Sequence, residues 1–157
     1  MPYEIVLVIF RLRPVPICFL FSSHQIFFML LVKRSLLDAC LAAAKSADPN
    51  EFLGLLEGER SSKDGETVLL LTRLIVPPGL SVNSNSAMFL PWMMPSGLDT
   101  WGTFHSHPSG NPNQSNADRM SGSKEGGVHL IACRPYGPAQ LIAYDSRGNR
   151  LEYSIVP

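Results

Sequence analysis

The stretch Phe104-His105-Ser106-His107-Pro108-Ser109-Gly110 decides how the rest of this chain is read. It holds two of the chain's four histidines, one residue apart. They close a segment, Thr100 to His107, that alternates well enough to be a strand, and Pro108, which cannot donate to a ladder, stops it. Residues two apart on a strand point to one face, so His105 and His107 aim both imidazoles at one point. From Pro108 to Ala117 almost every residue is a turn former. Ser115 then serves as a helix cap, which sets Asp118 on the first turn of a short helix near the end of the histidine strand. Two neutral imidazoles and a carboxylate suit Zn2+, and three protein ligands leave a fourth position for water. Taken alone, the same residues also read as hydrogen-bonded strand histidines followed by an ordinary capping pattern.

Outward from this stretch, Val128 to Cys133 is a near-continuous apolar run, as expected of a strand buried on both faces. Ala139 to Tyr144 and Arg150 to Val156 flank Asp145-Ser146-Arg147-Gly148-Asn149 and predict a closing hairpin. Upstream, Glu51 to Leu56 and Thr67 to Leu71 surround the charged, turn-rich Gly58 to Glu66, which predicts a second hairpin across a polar loop. Leu74 to Val76 continues the sheet until Pro77-Pro78-Gly79. Ser81 to Ser86 reads as polar loop, Ala87 to Leu90 as a short strand, and Pro91 to Asp99 as a connector with a short helical turn. Before all of these, Ser35 as cap and Asp38 in the first turn predict a helix start. Leu36, Cys40, Ala43, Ala44 and Ala47 then recur at helical spacing until Asp48-Pro49. The pattern is α/β, with a central mixed sheet and no internal repeat or interdomain linker.

Bulk composition fits one globular domain. The chain has 157 residues, 45% hydrophobic and 17% charged, enough to bury a core without staples. Thirteen basic and thirteen acidic residues balance, and no long basic tract calls for nucleic acid. Cys18, Cys40 and Cys133 lie far apart with no CxxC, which reads as reduced thiols in a cytoplasmic protein. Residues 1–28 are strongly apolar but split by Arg11, Arg13, Pro14, Pro16 and Ser22 to Gln25, a poor match to a membrane span or an export signal. The leading reading is an apolar leader outside the native fold, with Met29 as the start of a domain over 29–157. An added strand or helix and a membrane or export signal are the alternatives. A membrane role is expected only if that leader is real.

His105-Ser106-His107-Pro108, nine further residues and Asp118, with Ser115 three before it, resembles the JAMM (MPN-plus) zinc metalloprotease family. That family's motif is an upstream Glu, then HxHP and SxxD. Glu51, in Asp48 to Gly58, resembles its helix-to-strand junction, and the likeness spans roughly Val32 to Val156. The resemblance implies a JAB1/MPN, cytidine-deaminase-like fold, a central mixed sheet flanked by one to three helices. It implies His105, His107 and Asp118 as zinc ligands, Glu51 as general base and Ser115 as support for the oxyanion. It further implies cleavage after the C-terminal tail of a ubiquitin-like modifier or sulfur-carrier protein. A homodimer is compatible with it. The short span between Glu51 and His105 has no room for long insertions, which looks most like the prokaryotic members.

Two departures stand out. Gln114 takes the place of a Pro that many relatives carry before the serine, and Arg119 to Gly127 is glycine-rich, which predicts a short or frayed helix after Asp118. The resemblance also makes Asn83 to Phe89 a strand partner for an extended substrate tail, and leaves Trp92, Met93 and Met94 as groove lining or core cover. Glu57 and Glu59 read as solvated loop acids and His129 as a packed, hydrogen-bonded sheet residue. Competing readings are a non-catalytic MPN scaffold, which would bind no zinc, and the DNA-repair-associated RadC branch. The chain lacks the helix-hairpin-helix region and the basic signal expected of RadC relatives. An amidohydrolase barrel needs about 250 residues and does not fit.

Overall fold

Ten strands and one long α-helix, with helical residues again at Asn116 and Asp118, build the part of the chain that the computed structural model describes, namely 28–63, 65–78, 81–82, 87–88, 97–116, 118 and 127–157. β1 (Phe28–Lys33) runs directly into α1 (Arg34–Ala47). β2 (Leu53–Lys63) and β3 (Glu66–Ile75) form a long hairpin, and β4 (Ser81–Val82) pairs with β5 (Ala87–Met88) in a small separate ribbon. β6 (Thr100–His107) and β7 (Val128–Cys133) follow. A 3-10 turn at Pro138–Gln140 leads into β8 (Leu141–Tyr144), then β9 (Arg150–Leu151) and β10 (Tyr153–Val156).

Eight strands join in the order β10-β1-β3-β2-β6-β7-β8-β9. β1 pairs in parallel with β10 and β3, and β6 with β7; the other neighbours are antiparallel. The two ends of this order are neighbours in the chain. Leu151 pairs with Ala143, and Tyr153, two residues on, pairs with Leu30. The sheet therefore curls until one broken strand serves both edges, and the Tyr153 hydroxyl donates to the Leu141 carbonyl at 2.9 Å across the closure.

The curl wraps around α1. Leu36, Leu37, Cys40, Leu41 and Ala44 of the helix pack with Leu30, Val32, Leu56, Leu71, Phe104, Leu130 and Ala132 of the sheet. At about 25 cal/mol per Å2 of apolar surface, this cluster is the dominant favourable contribution to the fold. β6 lies at the centre of the sheet, between β2 and β7. Alternation along it divides the labour: Phe104, fully buried, joins the helix-side core, while Thr103, His105 and His107 point to the opposite face. β6 and β7 meet closely at Gly102, where a Cβ would run into the Val128 carbonyl.

Several expectations are corrected. Ser35 is not the cap of α1. Lys33 is still paired with Val156 in the sheet and its extended backbone (φ −61°, ψ 139°) turns straight into the helix, so Ser35 falls inside the first turn and Lys33 caps without a side-chain bond. Most of the polar stretch Gly58 to Glu66 is strand: Glu59 to Lys63 pair with Leu70 to Glu66, and the turn is pinched to a Gly65 at φ 83°. The side chains of Glu59 to Lys63 are exposed, so this ribbon is held by backbone bonds without the apolar alternation that marks strands. Ser81–Val82 is paired strand and not loop. β8 starts at Leu141, because Pro138 to Gln140 coil into the 3-10 turn.

The leader lies outside the described residues except for Phe28, with which β1 begins. The connector over 91–96, Trp92, Met93 and Met94 with it, and the glycine-rich 119–126 also lie outside them. Of Asn83 to Phe89, only Ala87 and Met88 are described, as strand. No helix among the described residues is long and apolar enough to cross a membrane.

Candidate metal centre

β6 delivers both histidines to one face near its C-terminal end, each less than a tenth exposed. The chain then turns back through Gly110, whose φ of 77° suits glycine. Gly110 N–H donates to the His107 carbonyl at 3.1 Å. The Asn111 carbonyl accepts from His107 Nδ1–H at 2.9 Å, which fixes the proton on Nδ1 and leaves Nε2 as a lone pair. The Tyr144 hydroxyl, reaching from β8, donates to the Pro112 carbonyl at 2.9 Å and ties this loop to the sheet.

Ser115 and Asp118 form a reciprocal cap. Ser115 N–H donates to Asp118 Oδ2 at 2.6 Å, and Asp118 N–H donates to Ser115 Oγ at 3.1 Å. This is the capping arrangement expected from the sequence, and it also aims the carboxylate. Asp118 Oδ1 lies 3.8 Å from His105 Nδ1, and Asp118 Oδ2 lies 3.5 Å from His107 Nε2. The three predicted ligands thus converge.

Among the described residues no group of three or more His, Cys, Asp or Glu side chains forms a ready-made metal cage. The separations nonetheless suit an ion between the donors. Atoms about 2.0 Å from a tetrahedral zinc lie about 3.3 Å from one another, slightly less than the two gaps seen. Neither gap is a good hydrogen bond, so the carboxylate and the imidazoles face each other across a space that a cation would close.

Glu51 arrives from the other side of β6. Phe52 N–H donates to Ser106 Oγ at 2.8 Å, and Ser106 N–H donates to the Phe52 carbonyl at 2.9 Å. Leu53 then pairs with His105. Continuing that register one step beyond Phe52 sets Glu51 opposite His107, on the histidine face. Three residues before it, Asp48 at the end of α1 accepts from Arg134 Nε at 2.6 Å, from Arg134 Nη2 and from the Tyr136 hydroxyl at 2.9 Å. The turn carrying Glu51 is therefore fastened to the segment just after β7 as well as to β6.

The charges of the four groups are interlocked. Burial pushes the Glu51 carboxyl above the usual glutamate range; nearby His107 opposes this and the charge of Asp118 adds to it. Burial alone would lower His107, but the Asp118 carboxylate facing it, its bond to Asn111 and the charge of Glu51 raise it. His105 is pushed down to about 4 by burial, against the pull of Asp118. Burial works against ionised Asp118, yet the bonds with Ser115 and the nearby imidazoles of His107 and His105 together outweigh it and hold its carboxyl well below the usual carboxylate range. The result is one firmly ionised carboxylate beside one whose proton comes off less readily.

Sequence reasoning placed His129 as a packed, hydrogen-bonded residue, and its Nδ1 does lie 2.8 Å from the Thr103 hydroxyl. It misplaced Glu57, which sits within β2 and pairs with Arg73 at 2.5 Å. It missed Thr103, Ser106, Asn111 and Tyr144. Thr103 was recoverable, because Thr103, His105 and His107 keep the two-residue period of one strand face. Gln114 is partly buried.

Comparison with known proteins places the fold. The family described as prokaryotic homologues of the JAB domain matches residues 33–145. A Haloferax volcanii protein named a probable metalloprotease is 32% identical over 131 residues, 82% of this chain and 79% of that one. The crystal structure of a JAB1/MPN domain protein from Archaeoglobus fulgidus is 35% identical and superposes with a TM-score of 0.56, covering 80% of this chain and 98% of its own. A structure described as JAMM, a metalloprotease-like zinc site in the proteasome and signalosome, gives 0.58 at 32% identity over 82% of this chain and 99% of its own. A Desulfitobacterium hafniense protein at 23% identity (TM-score 0.56, 82% of this chain and 93% of that one) shares the fold.

Proposed function

Because this chain belongs to the prokaryotic homologues of the JAB domain and has the JAB1/MPN fold, we propose that it is a zinc-dependent metallopeptidase acting on the C-terminal tail of a ubiquitin-like modifier or sulfur-carrier protein. The observation that carries the reading is the convergence of His105 Nδ1 and His107 Nε2 on the two oxygens of Asp118, with Glu51 held beside them. The Haloferax relative's name and the zinc site of the JAMM structure support it.

His105, His107 and Asp118 would hold the zinc, which when bound supplies a Lewis acid and brings a water's pKa down to about 7. Glu51 takes the proton of the attacking water and hands it to the leaving amine. Its raised affinity for a proton, a consequence of burial, suits a group that must accept one and release it. The Ser115 hydroxyl keeps its own hydrogen free, since its oxygen accepts from Asp118 N–H, and donates it to the developing oxyanion. The reading carries with it a cytoplasmic protein whose domain begins near residue 29.

The test is an intact-mass cleavage assay on a ubiquitin-like protein extended past its Gly-Gly tail, with zinc added. Glu51→Gln is run alongside, and bound zinc is measured in both proteins. Wild type is expected to cut after the second Gly. Glu51→Gln is expected to lose about 100- to 10,000-fold in rate while keeping its zinc. A wild type that neither cuts nor holds zinc sinks the proposal in favour of a non-catalytic scaffold. A Glu51→Gln protein that cuts normally removes Glu51 as the base.

A further inference from the structure

A threonine and a histidine outside the ligand set form a chain behind His105. Thr103, 4% exposed, sits two residues before His105 on the same face of β6. His129, 2% exposed, lies on β7 in register with Thr103. His105 Nε2 lies 3.2 Å from Thr103 Oγ1, which lies 2.8 Å from His129 Nδ1. One hydroxyl therefore bridges two buried imidazoles.

A hydroxyl has a single hydrogen, so the chain has two consistent directions. In one, His105 Nε2–H donates to Thr103, and Thr103 donates to His129 Nδ1. In the other, His129 donates to Thr103, Thr103 donates to His105 Nε2, and His105 carries its proton on Nδ1. The second direction points a ring N–H at Asp118 Oδ1 from 3.8 Å, too far to bond, in a pocket where an unmade bond is costly. The first gives both protons of the bridge an acceptor and leaves His105 Nδ1 as a lone pair, with the proton of His129 on Nε2. The shorter bridge, 2.8 Å, also suits an O–H donor, and the longer one an N–H donor.

We propose that Thr103 and His129 are positioning residues that lock His105 in its Nε2–H tautomer and so present Nδ1 as a lone pair toward Asp118 and the metal. This rests on the zinc reading above. The ligand pair is then unsymmetrical by construction. His107 is fixed by a backbone carbonyl and offers Nε2, whereas His105 is fixed by a side-chain relay and offers Nδ1. Oriented hydrogen-bond partners of this kind typically contribute 10- to 100-fold in metal affinity.

The test needs no substrate. Long-range proton–nitrogen correlation on 15N-labelled, metal-free wild type reports which nitrogen of His105 and of His129 carries hydrogen. Zinc affinity is then measured by competition with a chromophoric chelator for wild type, Thr103→Val and Thr103→Ser. We expect the Nε2–H form for both histidines in wild type. Thr103→Val should lose that preference at His105 and weaken zinc about 10- to 100-fold, while Thr103→Ser, which keeps the hydroxyl, should restore both. A wild type with the proton on His105 Nδ1 overturns the proposal, as does Thr103→Val with unchanged tautomer and zinc affinity. A wild type that shows the expected tautomers but holds no zinc overturns instead the metallopeptidase reading.

Discussion

His105 and His107 hang from the middle of a curled sheet, whereas Asp118, which faces both, hangs from a helical turn at the end of a loop. The first half of the site is fixed by things far away in sequence. β2 and β7 flank β6, Ser106 bonds to Phe52, and Phe104 is anchored under α1. The second half is fixed by its own neighbours: Ser115 and Asp118 cap each other, and Tyr144 holds the loop at Pro112. One half is as stable as the fold; the other is as stable as one capped turn and a tether. A site built this way can open on its loop side without loss of the sheet.

The sharpest way to break the contrast is from beneath the histidines. Phe104→Ala removes a fully buried ring from the helix-side core and should cost about 3–5 kcal/mol in urea unfolding. A loss below about 1 kcal/mol would mean that β6 does not depend on that core. Next comes Ser106→Ala, which leaves Phe52 N–H without its acceptor, at a cost of about 1–3 kcal/mol. It should also lower kcat more than it lowers zinc content, because the bond it removes holds the strand entry next to Glu51. Equal losses in both would show that Ser106 serves His105 and His107 and not Glu51. The smallest effect belongs to the loop half. Ser115→Ala should cost about 1 kcal/mol, felt locally as faster amide exchange at Asp118 with an unchanged urea midpoint. A midpoint shift as large as that of Phe104→Ala would erase the distinction between the halves.

The same division explains what could be read from the chain. The loop half was legible because capping is a four-residue pattern, and Ser115 and Asp118 meet as their spacing predicts. β6 and β7 were legible because alternation and a continuous apolar run are local signals. The two strands are found at Thr100–His107 and Val128–Cys133. β1 was missed because its pairing is parallel and remote: Leu30 meets Tyr153 and Leu69, and nothing near Leu30 announces either partner. The hairpin arms were drawn too short because Glu59 to Lys63 carry exposed polar side chains, and backbone pairing leaves no mark on such a pattern. The relay through Thr103 depends on the register of β6 against β7, which single-sequence reading does not supply.

The shared strand that joins both ends of the sheet has a consequence for the order of synthesis. β1 leaves the ribosome long before β10, so until Tyr153 to Val156 arrive, one side of Leu30 to Lys33 has no partner. During that interval an apolar strand offers bare N–H and C=O groups to any passing chain, the hazard that closed sheets exist to remove. Translation speed downstream of Cys133, and whatever chaperone covers the nascent chain, therefore bear on the yield of folded protein as directly as any residue of the core.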